Sequence, residues 1–273
     1  AHQLDFGRFQ LRGRCVGGVE TCYEVPTWDL NLDIGRCPPG SERQRTLLLT
    51  HGHIDHAAGL PYYVSLRALY GMTPPKIFCP RSAEGPLRDI LAGWARLQTD
   101  SERCELVGLD PGDEVPLGRS RFARTFASPH RIQTLGYTIF ERVRKLAPEL
   151  HGLPPEAIRA RVAAGEEVHQ VIERPELCFP GDTQIAVLDR DPSVKRARVL
   201  LLECTFLGPS VEPEKARRGG HIHLDDIAAR AEDFENEHLV LVHFSQRYGR
   251  DEIEHEVSAK LPPDLRERVH VMA

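Results

Sequence analysis

Short apolar runs broken by Gly, Pro and Asn fill the first third of the chain. Phe9–Arg14, Val19–Val25, Trp28–Asp33 and Thr46–Thr50 each predict a β-strand. The period then changes. Leu60–Tyr70 carries apolar residues at helical spacing and stops at Gly71, which predicts a helix. Lys76–Cys79 predicts a strand, Ala83–Leu97 a helix, and Arg103–Phe140 a second strand-rich region. Over 141–175 the pattern lapses. Pro148, Pro154, Pro155 and Pro175 stand among many charges, with one short helix candidate, Pro155–Ala163. This stretch reads as an inserted arm at about 142–172, outside the sheet. Core patterning resumes with strands at Leu177–Phe179, Val199–Leu202 and Leu239–Phe244, and a helix at Leu224–Phe234. Strand runs early and strand–helix alternation late predict an α/β fold of two mixed sheets flanked by helices. No internal repeat or linker divides the sequence, so residues 1–273 read as one domain carrying an arm.

Composition narrows the class. The 273 residues suit one large domain, and 41% hydrophobic with 27% charged content reads as soluble and globular. No apolar run approaches the roughly 18 residues of a membrane span, so no membrane partner is expected. No leader pattern is visible, although the chain begins at Ala1 rather than Met. Seven scattered cysteines, none in a CxxC pair, argue against a disulfide framework or zinc finger. They favour a reducing, cytoplasmic compartment (nuclear in a eukaryote). The net charge of −5 weighs mildly against a nucleic-acid partner, but a local basic patch can serve where the total does not.

The candidate chemistry lies at strand ends. THGHIDHAAGLP, residues 50–61, packs His51, His53, Asp55 and His56 directly after an apolar strand. His130, Asp182, Glu203 and His243 likewise close predicted strands or begin the turns after them. Side by side, such strands would bring these groups to one edge. Imidazoles and carboxylates are ligands for zinc and similar ions, and a pair of ions can activate water and clamp a phosphoester. His51, His53, Asp55, His56, His130, Asp182 and His243 supply the six or so ligands that two ions need. Residues two apart in an extended segment point the same way, so His51 and His53 can share one ion. Asp55 and His56 then aim at a second. Gly52 and Ala57-Ala58-Gly59 leave room for metal and substrate. His2, His151, His169, His238, His255 and His270 have no such context and read as ordinary surface or core residues.

THGHIDH resembles the signature of the metallo-β-lactamase superfamily. The ordered set SPHRIQTLGY, FPGDT, LLECTF, GGHIHLDDIA and LVHFSQRY resembles ribonuclease Z, the tRNA 3′-processing endonuclease. GGVETC, LDIGRCP and GLPYYVSLRALYGMTPP are similar to its plant-type short form. The resemblance implies an αββα sandwich and two zinc ions per chain, with manganese or iron as alternatives. His51, His53 and His130 would hold one ion, Asp55, His56 and His243 the other, and Asp182 would bridge. A hydroxide on the two metals would attack phosphorus, with Asp55 orienting or deprotonating the water. Glu203 and His223 would help protonate the leaving 3′-oxygen; His221 matches no motif position. Arg142, Arg144, Lys145, Arg159 and Arg161 of the arm would grip precursor tRNA, and the chain would form a homodimer in which each arm serves the partner's site. The glycine-rich opening and the Gly-Pro arm step of bacterial forms are absent. A rival reading keeps the same metals but gives the site a small phosphodiester as substrate. A third, non-catalytic RNA binding, sits poorly with a full ligand set.

Overall fold

The computed structural model describes residues 2–99 and 104–273; Arg103, the expected start of the second strand region, lies outside them. Among the described residues two seven-stranded sheets form. The first runs in chain order through β1 (His2–Asp5), β2 (Gln10–Val16), β3 (Glu20–Val25), β4 (Leu30–Leu32), β5 (Thr46–Leu48), β6 (Lys76–Pro80) and β7 (Glu105–Leu109). The second runs through β8 (Glu114–Pro116), β9 (Arg121–Ser128), β10 (Thr134–Leu146), β11 (His169–Phe179), β12 (Val199–Glu203), β13 (His238–Val242) and β14 (Val269–Val271). In each sheet three antiparallel pairings are followed by three parallel ones. The two halves thus share a topology that the sequence, with no visible repeat, does not betray.

Strand alternation builds the layers. Leu48, Leu30 and Leu32 of the first sheet face Leu177, Val199, Leu201 and Val240 of the second across a shared core. The alternate residues face outward. Leu47 and Leu49 pack under α2 (Leu60–Leu69) and α3 (Arg81–Gln98), which follow the short α1 (Ile54–Ala57). In the second half α4 (Pro155–Ala163) lies in the arm. Leu200, Leu202, Leu239 and Leu241 pack against residues of α5 (Pro192–Arg196), α7 (Leu224–Ala229), α8 (Arg250–Lys260) and α9 (Pro263–Arg266), with α6 (Pro213–Gly219) between α5 and α7 in sequence. The result is the αββα sandwich the sequence predicts. The helix expected over Leu224–Phe234 stops at Ala229 and continues only as a 3-10 turn, Ala231–Asp233.

The arm differs from expectation. It does not stand outside the sheet: β10 and β11 pair from Tyr137↔Phe179 to Leu146↔His169 across one register shift. Past a register shift at Ile139/Phe140, with Pro175 opposite Phe140, the two strands leave the core as a ribbon tipped by α4. A bulge is where a strand can bend and a proline be tolerated. Water bathes both ribbon faces, so ERVRKL and HQVIER lack apolar alternation and hide as strands in the sequence. A small cluster of Ala147, Leu150 and Val168 holds the tip.

Candidate metal centre

The strand ends converge as the sequence suggested. His51 and His53 follow β5, Asp55 and His56 lie in α1, His130 follows β9, Asp182 follows β11 and His243 follows β13. The geometry separates them into two groups on either side of Asp182. Asp182 Oδ2 lies 3.8 Å from His51 Nε2 and 3.9 Å from His130 Nε2. His53 Nδ1 is 2.9 Å from His51 Nε2 and 3.3 Å from His130 Nε2. On the other side, Asp182 Oδ1 lies 3.2 Å from His56 Nε2 and 3.3 Å from His243 Nε2. Asp55 Oδ2 is 3.5 Å and 3.4 Å from the same two nitrogens. Each group brings its ligand atoms within 4.8 Å of one another.

The partners of each ring fix where its protons sit. Asp33 Oδ2 accepts from His56 Nδ1 at 2.7 Å, and the Gly220 carbonyl accepts from His130 Nδ1 at 2.8 Å. Thr50 Oγ1 donates to Asp33 at 2.8 Å, so it accepts from His51 Nδ1 at 3.0 Å. Thr205 Oγ1 donates to Glu203 Oε2 at 2.6 Å, so it accepts from His243 Nδ1 at 3.0 Å. Those partners occupy the Nδ1 of all four rings and leave each Nε2 facing the centre. Such outer partners set tautomer and basicity in metal sites. Burial pushes His51 well below its ordinary pKa and lowers His53 and His130, which keeps them neutral. Burial opposes a charge on His56, but Asp182 and Asp33 raise its pKa well above the ordinary value; burial would likewise raise Asp182, but His243 and His56 hold it well below the carboxylate range.

Buried nitrogen and oxygen ligand atoms thus crowd one another at the centre. The Nε2 atoms of His56 and His243 stand 3.4 Å apart, and buried Asp182 Oδ1 receives no hydrogen bond. Buried acceptors left facing one another are costly unless a cation lies between them. The residues fit two metal ions, one group of ligand atoms on either side of Asp182.

Two residues at the centre have left-handed backbone, as do Asp29, Cys37 and Thr99. His243 has φ of 61° and Asp33 φ of 55°. Left-handed backbone at a non-glycine residue collects at functional sites. Gly59 does not make room for substrate. A Cβ there would lie 2.2 Å from the Ile34 carbonyl oxygen, so its bareness lets α2 approach the chain after β4. Gly52 is open, as expected.

One pairing is corrected. Glu203 does not reach His223. Its Oε1 accepts from His221 Nδ1 at 2.9 Å, and His221 Nδ1 lies 3.9 Å from Asp182 Oδ2. His223 turns away: its Nδ1 accepts from Asp225 N at 3.0 Å as the N-cap of α7, and its Nε2 donates to the Gly208 carbonyl at 3.0 Å. Two residues apart in GHIHLDD, the two histidines were hard to order. The signal was LDD, a helix start whose cap falls on His223. Burial opposes protonation of His221, yet Glu203 lifts its pKa to about 9. Asp33 and Thr205 escaped sequence reading, because a buried acid or threonine at a strand end has no spacing of its own.

The arm cations are less available than their number suggests. Arg142 pairs with Glu114 and Glu173, Arg144 with Glu167, and Arg161 with Glu166. Lys145 and Arg159 are exposed and carry no ion pair among the described residues.

Comparisons with known proteins agree with this geometry. Residues 28–244 match the model of the β-lactamase superfamily domain. Over 266 residues the chain is 39% identical to tRNase Z TRZ1 of Arabidopsis thaliana, covering 97% of this chain and 95% of that protein. The metallo-β-lactamase fold protein YhfI from Bacillus subtilis superposes with a TM-score of 0.63 at 14% identity, covering 96% of each chain. The short form of human tRNase Z gives a TM-score of 0.59 at 17% identity, covering 96% of this chain and 95% of that one. At such identities the two structures speak for the fold. The fold and the paired clusters define a β-lactamase superfamily domain, and within that superfamily the chain belongs to the ribonuclease Z family. It is a metal-dependent hydrolase. No helix among the described residues is long and apolar enough to cross a membrane.

Proposed function

We propose that the chain removes the 3′ trailer from precursor tRNA by hydrolysing one phosphodiester. The observation that carries this reading is Asp182, with each carboxylate oxygen turned to a separate ligand group. His51, His53 and His130 would hold one ion and Asp55, His56 and His243 the other. Zinc suits the imidazole and carboxylate set; manganese and iron accept it too. When bound, two such ions lower the pKa of water and offset charge on a phosphoester.

The chain's own groups do the rest. Asp55, whose Oδ2 accepts from Gly18 N at 2.9 Å, would orient the attacking water and take its proton. Water adds to phosphorus as the bond to the 3′-oxygen breaks. His221, aligned by Glu203, gives its proton to that oxygen. The tRNA keeps a 3′-hydroxyl and the trailer a 5′-phosphate. Lys145 and Arg159 add sequence-independent contacts to phosphates, and Arg142, Arg144 and Arg161 contribute less while paired. The scattered cysteines favour action in a reducing compartment, the cytoplasm or nucleus.

A test compares precursor tRNA with a chromogenic phosphodiester, each with and without chelator. Both reactions are expected to stop with chelator. The Lys145→Ala/Arg159→Ala double variant should raise KM for the RNA alone and flatten its salt dependence by about two phosphate contacts. Ester turnover without RNA cleavage would instead favour the small-phosphodiester reading.

The same reading extends to a homodimer. Tyr62 and Leu69 on α2, and Ile90, Trp94 and Leu97 on α3, are 48% to 76% exposed. They recur at helical spacing on the faces turned away from the core, and Tyr62 and Trp94 line one shallow cavity. An apolar face of this kind suits a self-complementary contact with a second copy. Trp94→Glu is expected to halve the mass measured by light scattering. An unchanged mass would remove this face from the interface.

A further inference from the structure

Outward from Asp182, four side chains form a continuous line. The His243 and His221 rings stack with centres 5.7 Å apart and 19° between planes. Phe206 meets His221 edge-on at 6.0 Å. The Arg247 guanidinium carbon lies 5.4 Å from the centre of the Phe206 ring. Both outer residues are anchored by the strand ends that carry the site. Phe206 follows β12, and its backbone bonds to Ile222 and Leu224 on either side of His223. Arg247 follows β13, and its Nε donates to Ser245 Oγ at 3.1 Å; Ser245 N in turn donates to the Thr205 carbonyl.

Many arginines of the chain are tied up in ion pairs. Arg142, Arg144, Arg161, Arg174, Arg198, Arg217 and Arg230 all meet carboxylates. Arg247 is exposed and meets no carboxylate among the described residues. Lying over an aromatic ring holds a guanidinium in place and leaves N–H groups free for an anion.

The reaction says what that anion is. The oxygen that receives the His221 proton belongs to the nucleotide on the 5′ side of the cut. That nucleotide must therefore lie on the His221 side of the scissile phosphate; on the face of that side away from His130, Phe206 and Arg247 continue the line of rings. We infer that Phe206 and Arg247 form the subsite for the nucleotide whose 3′-oxygen departs. Phe206 offers an apolar face to its base or ribose, and Arg247 holds its 5′-phosphate. The inference rests on His221 being the proton donor. It adds a grip on the nucleotide itself, independent of the arm.

The test needs no tRNA. Binding of adenosine 5′-monophosphate and of adenosine to the metal-loaded chain is measured by equilibrium dialysis. Hydrolysis of the chromogenic diester is followed alongside. The unaltered chain is expected to prefer the nucleotide. Arg247→Ala should weaken nucleotide binding about tenfold, the loss of one charged hydrogen-bonding partner, and leave adenosine binding and diester turnover unchanged. Arg247→Lys should recover part of the loss. Phe206→Ala should weaken both probes, about tenfold for a lost stacking contact. The inference is overturned if Arg247→Ala leaves nucleotide binding unchanged, if it lowers adenosine binding or diester turnover equally, or if the unaltered chain does not prefer the nucleotide. Failure of precursor tRNA cleavage would be seen separately, in the assay that uses that RNA.

Discussion

Asp182→Ala is expected to strip the chain of most of its bound metal and to end phosphoester hydrolysis, whatever the substrate. Asp182 Oδ1 and Oδ2 face different groups of imidazoles, so its loss would disturb both ligand groups at once. Bound metals supply several kcal/mol of transition-state stabilisation. Their loss should cost on the order of 10³-fold or more in rate. Asp182→Asn keeps the shape but removes the charge that offsets two cations, so it too should lower metal content. Metal content is read by elemental analysis of protein purified without chelator. A variant that keeps the full complement would place the bridging ligand elsewhere.

His221→Ala should separate proton donation from metal binding. Its partner is Glu203, whose charge favours the protonated imidazole against burial. Loss of a positioned acid typically costs about 10²–10⁴-fold. That loss is expected for an RNA, whose alkoxide leaves poorly. A p-nitrophenyl ester, whose leaving group needs no proton, should be nearly unaffected, and metal content should stay the same. His223→Ala should behave in the opposite way. It removes the N-cap of α7 and about 1 kcal/mol of stability, with little change in turnover per folded molecule. If the RNA reaction proves sensitive to His223 and indifferent to His221, the Glu203–His221 pairing has no catalytic meaning.

The physical character of each segment decides how much of this was legible. THGHIDH was readable because a run of ligand-type side chains has few other uses. The convergence of His130, Asp182 and His243 on it was readable because each closes an apolar strand, and strand ends in such sheets share an edge. Two mixed sheets with helices outside followed from early strand runs and later strand–helix alternation, and the αββα order from the superfamily resemblance; in TLLL, Leu47 and Leu48 belong to opposite faces. The arm's strands were not legible, since a ribbon wet on both faces shows no alternation. The α8 helix, RDEIEHEVSAK, buries only Ile253 and Val257, too thin a stripe to stand out. His221 and His223 could be told apart only by which one caps a helix. Asp33 is visible only through what it touches: it fixes His56 and Thr50 from beneath the site.

The most direct measurement is the chemistry of the ends made from a precursor tRNA with a 3′ trailer. Mass spectrometry of the two products should find a 3′-hydroxyl on the tRNA fragment and a 5′-phosphate on the trailer, only when metal is present. That outcome requires water as the nucleophile and the 3′-oxygen as the leaving group, the roles assigned to the Asp182-centred site and His221. A 2′,3′-cyclic phosphate on the tRNA, or cleavage that persists in chelator, would contradict the account.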